Sequence, residues 1–245
     1  MAKKAEGCNV SVYTYMDLLS ILGIGGAHPG GVKATDIMLG GELIGPETVI
    51  LDAGCGTGQT SAYLSSRYGA QVLALDNHPL MAEKARQRFS MQNLPVQVIE
   101  SSLEAMPLAS ESVDYCLSES VLSFADFFSS AKEIHRVLKG NGVLYAIELT
   151  MSAPAGQTER QAIGSFYGFR QMWTEEDWIA AFLHAGFGHV DIRELPSYYD
   201  DDEPLTDFFP SENIPEEVFQ VLSQHEQMLK QYRHLMNYRI IRAQK

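Results

Sequence analysis

The stretch VILDAGCGTGQTSAYL, residues 49–64, places an apolar run, an aspartate and three alternate glycines directly before a segment with helical patterning. Gly54, Gly56 and Gly58 let the backbone turn sharply after a strand and leave room for a ligand against it. The dinucleotide-binding fingerprint spaces its glycines as GxGxxG and sets a pyrophosphate on the next helix. Here the spacing is GxGxG, and Gln59 stands where that fingerprint has its third glycine. The turn therefore predicts a ligand site that departs from the dinucleotide pattern.

A carboxylate beside this turn indicates which ligand it binds. Asp52 lies two positions before Gly54, with one alanine between them. Its fixed negative charge repels a pyrophosphate and attracts a cation. S-adenosylmethionine carries an ammonium and a sulfonium and no phosphate, so the residues favour this cofactor over NAD or ATP.

A second acidic residue ends the next apolar run, QVLALD. Asp76 follows Asp52 by 24 positions in the sequence. An acid at this point can accept hydrogen bonds from both hydroxyls of a ribose, as it does in the dinucleotide folds. A plain tight turn and a helix-capping aspartate would explain either feature alone. Because the two features lie on consecutive strand–helix units, together they predict a cofactor site.

The order of apolar runs along the chain predicts the fold. From Thr48 onward, short apolar runs without clean alternation are separated by helix-length amphipathic segments, which is typical of parallel strands covered on both faces. We count seven such runs, the last being NYRIIRA, and the long helix before it allows that strand to return antiparallel. We predict a doubly wound, mostly parallel seven-stranded α/β sheet over residues 48–245, with an N-terminal helical lid over residues 1–47.

Composition and charge restrict the class of partner. The formal net charge is −13, which disfavours nucleic acid and anionic membrane surfaces as partners. The three cysteines, Cys8, Cys55 and Cys116, lack the spacing of metal ligands and suit reduced thiols, so we expect no metal site. The start of the sequence has no apolar leader segment, and we expect a cytoplasmic protein. The oligomeric state is left open.

Four stretches carry a resemblance to a known family. VILDAGCGTG, VLALDNHPLM, SLEAMPLASESVDYCLSES and AKEIHRVLKGNGVL resemble the successive motifs of the class I S-adenosylmethionine-dependent methyltransferases. They are most similar to the small-molecule branch that contains the ubiquinone and menaquinone biosynthesis methyltransferases. The resemblance implies a Rossmann-like fold and a set of cofactor-binding residues, namely Asp52, Gly54, Gly56, Gly58, Asp76, Asn77, Met81, Ser102, Leu103 and Ser118.

The resemblance also assigns parts of the cofactor. Asp52 and the glycines would line the methionine end, Asp76 would hold the ribose, and Asn77 and Met81 would border the adenine. Family members carry an acidic residue after the third strand that bonds the adenine amino group. Here Ser102 stands in that place, and either its hydroxyl or the nearby Glu104 would take that role.

Three residues are candidates for a catalytic base. Methyl transfer is an in-line displacement, and a base is needed only if the nucleophile must lose a proton. Glu119 and Glu148 end neighbouring strands at the edge where doubly wound folds bind ligands, and His28 lies in the glycine-rich turn GIGGAHPGG. Each has a simpler interpretation: Glu119 would contact the cofactor's ammonium, Glu148 would be a solvated loop acid, and His28 would be an exposed loop residue.

Aromatic residues in two segments are candidates for the substrate pocket. The segment near the start supplies Tyr13 and Tyr15, and SFYGFRQMW supplies Tyr167, Arg170 and Trp173. Aromatic rings there would shield the methyl group and stabilise the sulfonium by cation–π contact. The alternative is that these side chains are ordinary core. Because the glycine-rich turn adjoins the first segment, we also hypothesise that residues 1–30 form a mobile lid.

The sequence thus predicts a methyltransferase that acts on a small molecule. Two alternatives stay open: a nicotinamide-dependent oxidoreductase, which Asp52 and the glycine spacing disfavour, and a protein that binds S-adenosylmethionine as a sensor or assembly factor without transferring methyl. The acidic run DDDE, residues 200–203, would attract a cationic amine or simply be solvated surface.

Overall fold

The structure, a computed structural model, describes residues 12–25, 30–152, 155–195 and 207–245. His28 and the acidic run 200–203 lie outside the described residues. The helices are α1 (Tyr15–Leu22), α2 (Gly31–Leu39), α3 (Gln59–Tyr68), α4 (Pro79–Met91), α5 (Phe127–Val137), α6 (Gln157–Tyr167), α7 (Glu175–His184) and α8 (Glu216–Tyr232), followed by a 3-10 helix (Arg233–Leu235). The strands are β1 (Val49–Ala53), β2 (Gln71–Asp76), β3 (Gln97–Glu100), β4 (Val113–Glu119), β5 (Leu138–Met151), β6 (His189–Glu194) and β7 (Met236–Gln244).

The described strands form one seven-stranded sheet in the order β3-β2-β1-β4-β5-β7-β6. Neighbours from β3 to β5 are parallel, whereas β7 runs antiparallel between β5 and β6. This confirms the predicted fold class, including the antiparallel return of the last strand. The division at residue 48 into lid and domain stays a prediction.

Local sequence signals explain where several helices begin and end. Helix α3 ends at Gly69, which adopts the left-handed conformation that glycine tolerates best. Helix α4 begins with Pro79, whose fixed φ suits a first turn. Helix α7 is capped by Thr174, whose hydroxyl accepts the backbone N–H of Asp177 while the Asp177 carboxylate accepts the N–H of Thr174.

The core fills both faces of the sheet. One hydrophobic cluster packs α5 and α7 against it, with Phe127, Trp178 and Phe182 almost fully buried. A second cluster packs α2 and α3 on the opposite face, around Met38 and Leu64. Burial on both faces explains why the strand sequences are apolar without alternation.

Helix α1 packs across the carboxyl edge of the sheet against α8. Leu18 and Leu22 of α1 form a buried cluster with Val218 and Val221 of α8. The end of α1 is further tied by a backbone hydrogen bond from Gly25 N–H to the Asp207 carbonyl, 2.8 Å. This packing places α1 above the edge where β1, β2, β4 and β5 end.

None of the described helices combines the length and apolar character that crossing a membrane requires. Among the same residues, no group of three or more His, Cys, Asp or Glu side chains is arranged to hold a metal ion.

Candidate functional site

A cavity of about 340 Å³ opens at the carboxyl edge of the sheet. It reaches from Asp76 on β2, past β1, β4 and β5, to Tyr238 on β7, a span of about 19 Å at normal strand spacing. Thirteen of the residues singled out from the sequence line it: Tyr15, Asp52, Gly54, Gly56, Asp76, Asn77, Met81, Ser102, Leu103, Glu119, Glu148, Tyr167 and Arg170. The structure thus brings most of the predicted site together in one place.

The glycine turn forms one wall of the cavity. Gly54 has φ 86° and a side chain there would overlap Val121, so the position requires glycine. Gly56 has φ 53°, and an added Cβ would meet nothing within 4 Å, which leaves open space toward the cavity. The turn therefore leaves open space beside its backbone, and binding of a ligand there stays a prediction.

Asp52 lies buried at the base of the turn. Its carboxylate accepts a hydrogen bond from the Ser61 hydroxyl of α3, 2.5 Å. The negative potential it creates is visible at Cys55, where burial raises the pKa of the thiol well above its usual range and the charges of Asp52 and Asp76 raise it further. A cationic group of a ligand would be stabilised at this point.

Asp76 joins the second strand to the turn. Its carboxylate accepts the backbone N–H of Gly56 and of His78, each at 2.8 Å. Burial raises the pKa of Asp76, and these hydrogen bonds oppose the rise because they favour the charged form. Each carboxylate oxygen can accept more than one hydrogen bond, so acceptor capacity remains for a diol.

The segments that follow β2 and β3 hold the residues predicted for an adenine. Met81 and Leu103 are buried apolar side chains that line the cavity near Asn77. The Ser102 hydroxyl accepts the backbone N–H of Glu104, 3.2 Å, and the Glu104 carboxylate accepts the N–H of Asp126. Both candidates for the acidic partner of adenine line the cavity.

Glu119 is held in place by two hydroxyls. The Thr35 hydroxyl of α2 donates to one carboxylate oxygen at 2.7 Å, and the Thr60 hydroxyl of α3 donates to the other at 2.6 Å. Donation from both sides stabilises the charged form and fixes its orientation. The arrangement resembles a fixed anion for a cationic ligand group more than a base that must accept a proton.

Glu148 is fully buried, which excludes the solvated loop acid considered above. Its carboxylate accepts the backbone N–H groups of Val121, Leu122 and Ser123 at 2.8–3.1 Å and the Ser123 hydroxyl at 2.7 Å. Burial raises the pKa of Glu148 to about 7 against these hydrogen bonds. The residue closes the loop after β4 onto the end of β5, so it shapes the floor of the cavity.

Three tyrosines and a histidine surround the end of the cavity farthest from Asp76. The Tyr167 hydroxyl lies 3.0 Å from Nδ1 of His225, and the ring of Tyr15 packs edge-on against Tyr167 with centroids 4.9 Å apart. Tyr238 of β7 lines the same end. Burial raises the pKa of Tyr15 to about 12 and lowers the pKa of His225, so the hydroxyl stays protonated and the imidazole stays neutral near pH 7.

Four predicted site residues lie outside the lining. Ser118 precedes Glu119 on β4, and successive strand side chains point to opposite sides, so Ser118 is buried within the sheet. Gly58 packs against the ring of Phe89 instead of facing the cavity. Tyr13 belongs to the cluster between α1 and α8, and Trp173 packs in the core. For Tyr13 and Trp173, ordinary packing is what the structure shows.

The C-terminal part of the chain contributes side chains to the cavity that the sequence does not predict. His225 on α8 and Tyr238 on β7 line the cavity, as do Val121 and Phe124 from the loop after β4. The only sequence signal for His225 was a lone histidine on the helix QVLSQHEQML, which gives no direction to its side chain. Tyr238 stands within an apolar strand, a position that is typical of core residues.

Comparison with known proteins places these features in a family context. A family model described as a methyltransferase domain matches residues 51–146. An uncharacterized methyltransferase of Bacillus subtilis (strain 168), YodH, is 37% identical over 231 residues, which are 94% of this chain and 99% of that protein. A malonyl-[acyl-carrier protein] O-methyltransferase of Serratia marcescens is 32% identical over 125 residues, 51% of this chain and 40% of that enzyme.

The fold is also similar to that of a solved enzyme. The structure of Haemonchus contortus phosphoethanolamine N-methyltransferase 2 in complex with S-adenosyl-L-methionine matches with a TM-score of 0.77. The match has 17% sequence identity and covers 95% of this chain and 57% of that one. At that identity the similarity concerns the fold alone.

Proposed function

This chain belongs to the class I S-adenosylmethionine-dependent methyltransferases, and we propose that it methylates a small-molecule acceptor in the cavity at the carboxyl edge of its sheet. S-adenosylmethionine is the methyl donor of this family. What we propose is that the methyl acceptor is a small molecule. The observation that carries it is the length of the cavity, which continues past the cofactor residues of β1 and β2 into a second compartment lined by Tyr15, Tyr167 and Tyr238.

The residues present fit the cofactor. Asp52 supplies a buried negative charge at the turn, Gly56 supplies open space beside the backbone, and Asp76 supplies carboxylate oxygens for a diol. Two apolar side chains, Met81 and Leu103, supply walls for an aromatic ring. When bound, S-adenosylmethionine supplies a methyl group already activated by the positive charge on sulfur.

The protein's own contribution is alignment and exclusion of water. Glu119, fixed by Thr35 and Thr60, lies between the two compartments on β4 and would hold a cationic part of the cofactor. The aromatic side chains of α1 and α6 cover the acceptor compartment and remove water from it. Holding the reacting atoms in line is the larger part of catalysis for a displacement of this kind.

A small acceptor agrees with the shape and charge of the site. Helices α1, α6 and α8 contribute side chains to the acceptor compartment, which supports an acceptor small enough to enter between them. The lining carries several carboxylates, Asp52, Asp76, Glu104, Glu119 and Glu148, and these repel a nucleic-acid backbone.

Labelled methyl transfer tests the proposal. The protein is incubated with S-adenosylmethionine labelled in its methyl group and a cell extract, and the products are separated into low-mass and macromolecular fractions. We expect the label in a low-mass product. Asp76→Ala should lose most of this transfer, while Glu100→Ala, at the end of the adjacent strand β3, should keep it. Label found only in protein or nucleic acid would contradict the proposal.

A further inference from the structure

The acceptor end of the cavity contains a pair of residues placed for proton transfer. The Tyr167 hydroxyl and Nδ1 of His225 are 3.0 Å apart, a hydrogen-bond distance, and both side chains line the cavity. The two residues come from separate helices, α6 and α8. The ring of Tyr15 contacts both, with centroids 4.9 Å from Tyr167 and 5.2 Å from His225. Contacts from three helices fix the geometry of the pair.

The charges of this compartment restrict the acceptor. In the part of the lining that the structure describes, the cationic side chain is Arg170, which is 61% exposed and lies 3.9 Å from Glu104. It therefore lies at the mouth and is already paired. A carboxylate or phosphate acceptor placed beside Tyr167 would find no cationic side chain among the described lining residues of that compartment and would face Glu148. Burying an unpaired anion is strongly unfavourable.

The rest of the compartment is apolar and aromatic. Leu149, Phe124 and Phe169 line it, and the rings of Phe124 and Phe169 pack with centroids 4.7 Å apart. Such walls favour an acceptor with an apolar body. Tyr167 and His225 then provide the polar contacts for its reacting group.

We propose that the acceptor is an uncharged molecule with a hydroxyl on an apolar body, and that Tyr167 and His225 relay the proton of that hydroxyl during its methylation. This inference rests on the proposed function. The hydroxyl oxygen forms a bond to the methyl carbon as the carbon–sulfur bond breaks and its electron pair stays on sulfur. The hydroxyl proton passes to Tyr167 Oη, whose own proton passes to His225 Nδ1. The resulting imidazolium releases its proton to water.

The groups around His225 allow it to start the reaction neutral. Burial lowers its pKa, and Glu226 on the same helix opposes that shift. From other elements, the ring of Tyr15 on α1 and the hydroxyl of Tyr167 on α6 contact it. Burial raises the pKa of both tyrosines, so both hydroxyls are uncharged. The charged residues of the adjoining 3-10 helix are exposed to solvent. Glu148 and Tyr238, from β5 and β7, line the same compartment.

Three probes of matched shape test the acceptor class: 2-naphthol, 2-naphthoate and 2-(aminomethyl)naphthalene. Their binding is measured by fluorescence on protein saturated with S-adenosylhomocysteine, and their methylation is measured with S-adenosylmethionine. We expect 2-naphthol to bind at least about tenfold more tightly than the anion or the amine and to be methylated on oxygen. Tighter binding of either charged probe, or no binding of 2-naphthol, overturns the inference.

Two variants test the relay. Tyr167→Phe keeps the ring contacts and removes the hydroxyl, and His225→Gln removes the titrating group. Tyr68→Phe, at the end of α3 and outside the cavity lining, is the matched control. We expect both to bind S-adenosylhomocysteine as the wild type does and to lower kcat for 2-naphthol about 10²-fold or more. In the wild type, kcat should fall toward acid pH, because a protonated His225 cannot accept the proton. This fall should be absent in His225→Gln. A wild-type rate or an unchanged acid limb in that variant overturns the relay.

The two proposals fail in different ways. Absence of S-adenosylhomocysteine binding by the wild-type protein would contradict the proposed function itself. Retained cofactor binding with methylation of the amine or carboxylate probe would leave the proposed function intact and overturn the hydroxyl acceptor alone.

Discussion

The carboxylate of Asp76 accepts the backbone N–H of Gly56 at 2.8 Å, so the end of the second strand fixes the glycine turn that follows the first. The two strands are parallel neighbours, with Ala53 paired to Leu75 just before these positions. One residue thus shapes the backbone that lines the cavity and presents oxygens to it. Its removal should therefore affect cofactor binding in two ways.

Asp76→Ala should weaken binding of S-adenosylhomocysteine by about 1–3 kcal/mol, because it leaves the ribose hydroxyls and the Gly56 N–H without their acceptor. Isothermal titration calorimetry measures this directly. Glu100→Ala is the control, since Glu100 is the register partner of Asp76 on β3 and pairs with Arg86 at the surface. An unchanged dissociation constant in a folded Asp76→Ala protein would mean that the ribose is held elsewhere.

Glu119→Gln separates a binding role from a catalytic one. If the carboxylate fixed by Thr35 and Thr60 holds a cationic part of the cofactor, the variant should raise KM for S-adenosylmethionine about tenfold and leave kcat nearly unchanged. Steady-state kinetics at saturating acceptor gives both constants. A large fall in kcat with unchanged KM would instead identify Glu119 as the base.

Glu148→Ala should destabilise the protein by about 2–4 kcal/mol, because two buried and one partly buried backbone N–H groups lose their acceptor. Urea denaturation measures the free energy of unfolding. The pKa of Glu148, raised from 4.5 to about 7, adds a pH dependence. The folded protein holds the Glu148 proton more tightly than the unfolded chain does. The resulting contribution to the free energy of unfolding is therefore fully present below pH 4.5 and is lost as pH rises to about 7.

Glu148→Gln tests that sign. The variant cannot titrate, so the part of the stability loss between pH 4.5 and 7 that comes from this residue should vanish. If the wild type and Glu148→Gln show the same pH dependence of unfolding, the carboxylate is already charged at pH 5 and the raised pKa is wrong.

We hypothesise that residues 1–30 form a lid, and a chain of contacts links the glycine turn to the described part of that segment. Arg88 donates to the Thr57 carbonyl in the glycine turn at 2.7 Å and pairs with Asp207, whose carbonyl accepts the N–H of Gly25. Occupation of the turn should therefore stabilise the segment after α1. Hydrogen exchange should show slower exchange of residues 12–25 when S-adenosylhomocysteine is bound. Strong protection in the apo protein with no change on binding would contradict the lid.

That the candidate cofactor residues line one cavity could be predicted from the sequence, because they lie on consecutive strand–turn–helix units. The position of Asp52, Gly56 and Asp76 at the ends of adjacent parallel strands follows from the fold class alone. The sheet confirms the fold class, and the comparisons with known proteins confirm the family and its cofactor. Side-chain direction was predictable only in part: Ser118 and Glu119 are adjacent on β4, and the structure shows that only Glu119 lines the cavity.

The acceptor half could be predicted only in part, because it is assembled from distant parts of the chain. Tyr15 and Tyr167 are candidates from the sequence, whereas His225 and Tyr238 are not. Tyr15, Tyr167, His225 and Tyr238 meet only after α1, α6, α8 and β7 have packed together. The sequence does not specify how a helix is rotated about its axis against its neighbours. Glu148 shows the same limit, since its environment depends on how the loop after β4 closes over it.

The central claim, that the turn after β1 binds S-adenosylmethionine through the negative charge of Asp52, is tested most directly by calorimetry with S-adenosylhomocysteine, NAD and ATP. We predict that the wild-type protein binds S-adenosylhomocysteine and neither of the other two. Asp52→Asn should weaken that binding by about 1.5–3 kcal/mol, since it removes a charge-assisted hydrogen bond, whereas Asp191→Asn on the exposed face of β6 should not. Tighter binding of NAD than of S-adenosylhomocysteine would contradict the account.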